Sequence, residues 1–157
     1  MFEITADDIA RLGDEPLRAV VARLCEAEVR RRGLGPASVT WGGNQTAADG
    51  GIDVRVALPP GTIIDGFIPR AETGFQVKKQ DMPRADILEE MRPEGTIRPS
   101  IQSLAEVGGA YIIVGSAGSV ADAALQARRN AMKEGMAGVV HADALALDFY
   151  DRTRIAT

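Results

Sequence analysis

The stretch that decides the fold reads Asp49-Gly50-Gly51-Ile52-Asp53-Val54-Arg55-Val56. After a proline- and glycine-containing connection it resumes as Gly74-Phe75-Gln76-Val77-Lys78-Lys79-Gln80. In the first half Ile52, Val54, Val56 and Leu58 alternate with Asp53, Arg55 and Ala57, the period-two pattern of a strand. Pro59-Pro60-Gly61 ends it. In the second half, over residues 73–79, Phe75 and Val77 share one face and Gln76 and Lys78 the other, because strand side chains repeat every two residues. If the two strands pair, a carboxylate, an amide oxygen and an ammonium converge on one face of a sheet. The connection over residues 59–72 is longer than a simple hairpin turn. Asp49-Gly50-Gly51 and, upstream, Gly42-Gly43-Asn44 are turn signals, and Asp49 is read as part of its turn.

Outward from this block, residues 14–32 read as an amphipathic helix. Asp14 suits its cap and Pro16 its first turn. Leu17, Val20, Val21 and Leu24 fall on one face, and Gly33, Gly35 and Pro36 stop it. Residues 39–41 form a short strand or an extended lead-in. Downstream, Asp81-Met82-Pro83 opens a helical segment to about residue 91, broken by Arg92-Pro93-Glu94-Gly95, and Pro99-Ser100 starts another to about residue 107. Ala110-Tyr111-Ile112-Ile113-Val114 is a continuous apolar run, the mark of a central strand buried on both faces. Ser119 suits the cap of a helix that Gly135 ends. Val139-Val140 and residues 144–147 offer one more short strand, and residues 148–157 the start of a final helix. The expectation is a single α/β domain over residues 1–157, a mixed β-sheet flanked by helices.

Composition removes several kinds of chemistry. One cysteine, Cys25, excludes an internal disulfide and a cysteine-rich zinc site, and as a small hydrophobe it fits the apolar side of its helix. One histidine, His141, is too few for a histidine-based metal cluster, and with no paired partner it is set aside as a base. No stretch of the 157 residues approaches a membrane span, and the first eight show no secretory signal. A cytoplasmic location is therefore expected. The net charge of −4 permits a nucleic-acid substrate without arguing for one. Basic side chains do cluster at Arg30, Arg31 and Arg32 and at Arg128, Arg129 and Lys133.

Oxygen ligands, typically one or two carboxylates with waters and substrate phosphate, are what Mg²⁺ prefers. Asp53 and the side-chain oxygen of Gln76 supply such ligands, with the Val77 carbonyl assisting. Lys78 is placed to orient a water nucleophile or offset charge building on a phosphate. Projecting the first helix at about 100° per residue puts Glu28 about 20° from Leu17, inside the apolar stripe, and Glu26 on the opposite face. A carboxylate turned toward a core is costly unless paired or bound to a cation, and the site at Asp53 would provide that partner.

The ordered set Glu28, Gly50-Gly51-Ile52-Asp53 and Gln76-Val77-Lys78 resembles the PD-(D/E)xK nuclease superfamily, in particular its Mrr-like restriction endonucleases. The likeness covers about residues 17–114. It implies a restriction-endonuclease-like core, a Mg²⁺ or Mn²⁺ cofactor and a double-stranded DNA substrate. Residue by residue it implies Asp53 as central metal ligand, Gln76 as second ligand, Lys78 as catalytic lysine and Glu28 as accessory acid. The wider string from Val39-Thr40-Trp41-Gly42-Gly43-Asn44 onward resembles nuclease domains at the N-terminus of bacterial antiphage defence proteins, where a sensor domain follows. That likeness implies an effector domain of a longer protein, with homo-oligomerisation allowed. Two departures stand out. Gln76 occupies the place where an acidic residue is commonest, and no proline precedes Asp53.

Plainer readings stand beside each of these. Asp53 and Lys78 as a cross-strand ion pair on a solvated sheet face would leave Glu28 without a partner. Glu28 itself also reads as a residue snorkelling from the edge of the core. Arg128, Arg129 and Lys133 read as a solvated helix face, with Arg129 and Lys133, one turn apart, as the pair placed to touch DNA phosphates. Trp41 reads as packing, Gln102 as helix surface and Lys79 as facing away from Lys78. A catalytically silent nuclease-like module that docks nucleic acid or protein, and a subunit-assembly domain, are the competing functions. Cleavage with and without Mg²⁺ separates the enzyme from both.

Overall fold

The computed structural model describes residues 3–41 and 51–156, so the turns expected at Gly42-Gly43-Asn44 and at Asp49-Gly50 lie outside the described residues. In chain order the elements are α1 (Ala6–Ala10), α2 (Asp14–Arg31), β1 (Val39–Trp41), β2 (Val54–Ala57), β3 (Glu72–Lys78), α3 (Arg84–Met91), α4 (Pro99–Glu106), β4 (Ala110–Gly115), α5 (Asp122–Gly135), β5 (Ala146–Tyr150) and α6 (Arg152–Ala156). The five strands make one sheet in the order β1-β2-β3-β4-β5. β1 with β2 and β2 with β3 are antiparallel, whereas β3 with β4 and β4 with β5 are parallel. Parallel neighbours need long crossovers; α3 and α4 supply one and α5 the other. The fold is α/β, a mixed five-stranded sheet flanked by helices.

Side-chain alternation sorts the strands into two apolar layers, and Ile52, expected on the face of Val54, Val56 and Leu58, packs in the other layer. Val54, Val56, Phe75, Val77, Ile112 and Val114 pack with Leu17, Val21, Cys25 and Val29 of α2. Ile52, Tyr111, Ile113 and Phe149 pack with Ile87, Met91, Ile101, Leu104 and Met132 from α3, α4 and α5. β4, the continuous apolar run, is accordingly buried at every position. Each fully covered large side chain, Phe75 or Ile112 for example, contributes about 1.5–3 kcal/mol relative to exposure. Gly74 lets the second layer approach: a Cβ there would lie 2.6 Å from Ile52 Cδ1 and 3.0 Å from Leu104 Cδ1.

Several local expectations are corrected. Gly13, with extended backbone, is the N-cap of α2. Asp14 is therefore the first helical residue, and its carboxylate accepts the Lys79 N–H at 2.7 Å. Ala121 caps α5, and the Ser119 hydroxyl accepts the Ala121 N–H at 3.2 Å. Val139-Val140 is not in a strand, and the last strand continues through Asp148, Phe149 and Tyr150, which were expected to begin a helix. Parallel pairing of Ile113 with Phe149 and Val114 with Tyr150 overrides the weak local signal there. Helix α1, capped by Thr5 through a reciprocal bond with Asp8, had no sequence expectation because one buried side chain, Ile9, makes no periodic stripe. Cys25 is fully buried, and loss of solvation pushes its thiol far above the ordinary range. Trp41 packs against the first layer, with the Arg23 guanidinium 5.6 Å from its ring centre.

β5 is a terminal strand of the sheet. Its Ala146 N–H donates inward to Gly109 O at 3.0 Å, so alternation turns the Phe149 N–H outward. Asp148 Oδ1 accepts that N–H at 2.7 Å and also takes Arg129 Nε at 2.6 Å. Among the described residues, no helix is long and apolar enough to cross a membrane.

Candidate active site

β2 begins its ladder one residue after Asp53, and β3 runs on past that point. The Asp53 N–H donates to Phe75 O at 2.8 Å, and its carboxylate then turns along β3, where Oδ2 accepts the Val77 N–H at 2.8 Å. A side chain here does what a continuing strand would otherwise do. The last register pair is Val54 with Phe75, and because the Asp53 N–H also reaches Phe75 O, Asp53 and Val54 both face Phe75, as in a bulge. Lys78 O accepts the Ser116 N–H on the β4 side at 3.4 Å, so alternation points the Val77 carbonyl to the Asp53 side. Gln76 is buried, and its Oε1 has no hydrogen-bond partner among the described residues. An orphaned buried acceptor costs about 1–3 kcal/mol, and Gln76 Oε1 shares that condition with Glu28 Oε1 among the described residues.

Charges alternate outward from this point. Asp53 Oδ1 faces Arg18 Nε of α2 at 3.5 Å. Lys78 Nζ pairs with Glu90 Oε1 of α3 at 2.9 Å, and Glu90 Oε2 with Arg98 at 2.9 Å. Arg98 Nε also donates to the Glu90 carbonyl at 2.6 Å. The row is Arg18, Asp53, Lys78, Glu90, Arg98: three cations interleaved with two carboxylates. Burial lifts the Asp53 carboxyl above its ordinary range, with the nearby Glu90 charge adding to the rise; the Val77 N–H, Arg18 and Lys78 pull it back only in part. Tyr111, fully buried on β4, has a hydroxyl with no hydrogen-bond partner among the described residues. Burial and the Glu90 charge raise its pKa, which places it within the electrostatic reach of this row.

Gly51 permits the outer end of the row. Its φ is +85°, a conformation that side chains bearing a Cβ rarely adopt, and a Cβ there would lie 2.9 Å from Arg98 Nε. Residues 51–53 thus serve three purposes. Gly51 admits Arg98, Ile52 fills the space over Gly74, and Asp53 closes the end of β3.

The structure brings the Asp53 carboxylate to the Val77 N–H, between Gln76 and Lys78 on β3, and within electrostatic reach of Lys78, and it does not bring Glu28 to them. Glu28 is buried as its helical projection requires, yet it lies ten residues along α2 from Arg18, about 15 Å at the helical rise. Its Oε2 takes Arg31 at 2.5 Å, its Oε1 faces Arg32 at 3.9 Å, and a Cβ on Gly66 would sit 3.0 Å from Oε1. Gly66 belongs to the connection between β2 and β3, at the sheet end opposite Asp53. Glu26 is half-buried and pairs with Arg23 at 2.9 Å.

Arg129 and Lys133 do not join the site either. Arg129 is tied to Asp148 at 2.6 Å, and Lys133 is exposed near the end of α5, which runs back from the C-terminal end of β4 and away from Lys78. Arg128, read as solvated, is buried instead, 5.0 Å from the Phe149 ring centre and 3.7 Å from Asp81. Lys79 is exposed, and Gln102 is half-buried on α4. His141 is exposed with φ +63°. Sequence reasoning passed over Arg18, Glu90, Arg98 and the role of Asp14. The four-residue spacing of Asp14 and Arg18, which puts both on one side of the helix, was the available signal; nothing local marks Glu90 or Arg98.

Among the described residues, no three His, Cys, Asp or Glu side chains gather where they could hold a metal ion. A divalent cation at this site would therefore depend on Asp53 together with the neutral oxygens of Gln76 and Val77. That donor set is entirely oxygen, as Mg²⁺ and Mn²⁺ prefer, and the unpartnered Gln76 Oε1 is the observation that fits such an ion. In comparisons with known proteins, no family model, no curated protein and no solved structure matches the chain.

Proposed function

We propose that the chain is a Mg²⁺- or Mn²⁺-dependent endonuclease domain that hydrolyses phosphodiester bonds of double-stranded DNA. In this reading it has a restriction-endonuclease-like core of the PD-(D/E)xK type, in the Gln-x-Lys form of the Mrr-like branch. The observation that carries the reading is the buried oxygen of Gln76, without a partner among the described residues, on the strand that also presents Lys78 and whose Val77 N–H the Asp53 carboxylate accepts. DNA as the substrate, and a role as the effector of an antiphage defence protein, rest on the sequence resemblance.

Asp53, Gln76 and the Val77 carbonyl are the residues that would hold the cation. When bound, it supplies Lewis acidity toward a phosphoryl oxygen. The Lys78 ammonium, aimed from the same strand face as Gln76, donates to the water nucleophile or to the oxygen on which charge accumulates. Glu90 fixes the direction of that ammonium and Arg98 fixes Glu90, so the donor is oriented before substrate arrives. Nicking of supercoiled plasmid tests the reading. Cleavage in Mg²⁺ or Mn²⁺, abolished by EDTA and by Asp53→Asn, supports it, and full activity in metal-free buffer defeats it. A second reading, a silent nuclease-like binding domain, draws on the internal pairing of Asp53 with Arg18 and of Lys78 with Glu90. DNA binding that weakens with salt, without cleavage under any metal, would favour it.

A further inference from the structure

Arg18 is the member of the charged row whose contact is incomplete. Its Nε is buried and has no hydrogen-bond partner among the described residues, yet it stands 3.5 Å from Asp53 Oδ1. The other Asp53 oxygen, Oδ2, is fastened by the Val77 N–H at 2.8 Å. The two oxygens therefore differ: among the described residues, Oδ2 is held by a backbone hydrogen bond and Oδ1 by the Arg18 charge. The Lys78–Glu90 and Glu90–Arg98 contacts, by contrast, are both 2.9 Å. The guanidinium side chain is about a quarter exposed, so a path to water is open to it.

We infer that Arg18 is the resident counter-ion of Asp53 and competes with a divalent cation for Oδ1. The inference rests on the proposed metal site. A cation and a guanidinium cannot share one side of one carboxylate oxygen: two like charges a few ångströms apart repel by several kcal/mol at the effective dielectric of a partly buried site. Metal loading thus requires Arg18 to leave, and the missing hydrogen bond makes that departure cheap. Once released, the guanidinium is a free planar donor at the edge of the site, suited to a phosphate oxygen.

Calorimetric titration of Mn²⁺ into the whole chain tests this without reference to turnover, comparing wild type with Arg18→Gln, Arg18→Lys and Asp53→Asn. Arg18→Gln removes the charge and should tighten Mn²⁺ binding at least about tenfold, whereas Arg18→Lys keeps the charge and should stay within about threefold of wild type. Asp53→Asn should lose the binding. If Arg18→Gln binds Mn²⁺ no more tightly than wild type while Asp53→Asn abolishes it, the competition is overturned and the metal site stands. If Asp53→Asn binds like wild type, or none of the four binds, the metal reading itself falls. Circular dichroism melts of all four proteins confirm that each comparison is between folded chains.

Discussion

Two acidic side chains, Glu28 and Asp53, are withdrawn from water beside arginines, and they lead opposite lives. Glu28 is the more deeply covered, with 6% of its side chain exposed against 15% for Asp53. Its partners, Arg31 and Arg32, come from its own helix, one turn away, and keep much of their own surface in solvent. Asp53 takes its partners from a neighbouring strand and a distant helix, and its carboxylate binds the strand position next to Gln76, whose amide oxygen has no hydrogen-bond partner among the described residues. Depth of burial does not by itself separate the two acids. What distinguishes them is where their partners come from: those of Glu28 lie within four residues of it, whereas Asp53 draws on α2 and β3. Glu28 Oε1, like Gln76 Oε1, has no hydrogen-bond partner among the described residues.

The largest effect should separate the two in cleavage. Lys78→Ala and Asp53→Asn are each expected to lower the rate by about 10²-fold or more, since a preorganised charge is removed from the reacting centre. Glu28→Gln should remain within about threefold of wild type in the same plasmid assay, and Lys79→Ala likewise. Parity between Glu28→Gln and Asp53→Asn would erase the contrast. Next in size, Gly51→Ala forces an unfavourable backbone region and pushes into Arg98. Loosening the Arg98–Glu90–Lys78 chain should cost about tenfold in rate while leaving DNA affinity unchanged, an outcome that single-turnover kinetics set beside a binding isotherm would reveal.

A smaller effect concerns pH. The folded pKa of Asp53 is raised above its unfolded value near 3.8, chiefly by burial. Over the interval from that value up to the folded pKa the native state binds more protons than the unfolded one, so the contribution of Asp53 to stability falls as pH rises. Asp53→Asn, which carries no charge to desolvate, should therefore melt at a higher temperature than wild type at neutral pH, and the gap should close below about pH 4. A gap that is constant across the titration would deny Asp53 its strained ionisation. The smallest effect is expected for Glu28→Gln on stability, within about 1 kcal/mol, because its released arginines can return to water; denaturant melts of that variant would measure it.

Much of the fold was legible because it is written in short-range periodicity. The alternation around Val54 and Phe75, and the unbroken apolar run of β4, identify the strands that carry and support the site. The direction of Gln76 and Lys78 followed from the same period. Helical projection was right about the angle at which Glu28 faces the protein and misleading about its distance from Asp53. An angular wheel discards the axial rise, and ten residues of rise separate Glu28 from Arg18. Glu90 and Arg98 were invisible for another reason: they reach Lys78 only through the way α3 packs on the sheet, which no local pattern encodes. Tyr150 shows the converse, a residue assigned to a helix by its neighbours and taken into a strand by β4.

The outer side of β5 carries a consequence for how copies of the chain meet. An open strand edge offers unpaired backbone groups to any passing strand, and such edges are where sheets of separate molecules fuse into aggregates. On this edge the Phe149 N–H is already bonded to the Asp148 carboxylate, and that carboxylate is held in place by Arg129. A foreign strand would have to break both contacts and lie against a charged pair to gain one backbone bond. The side chain that pairs with Arg129 thus also guards the sheet edge against pairing with a foreign strand. Asp148→Ala should make concentrated protein more prone to sedimentable assembly, leaving the chemistry at the opposite side of the sheet untouched.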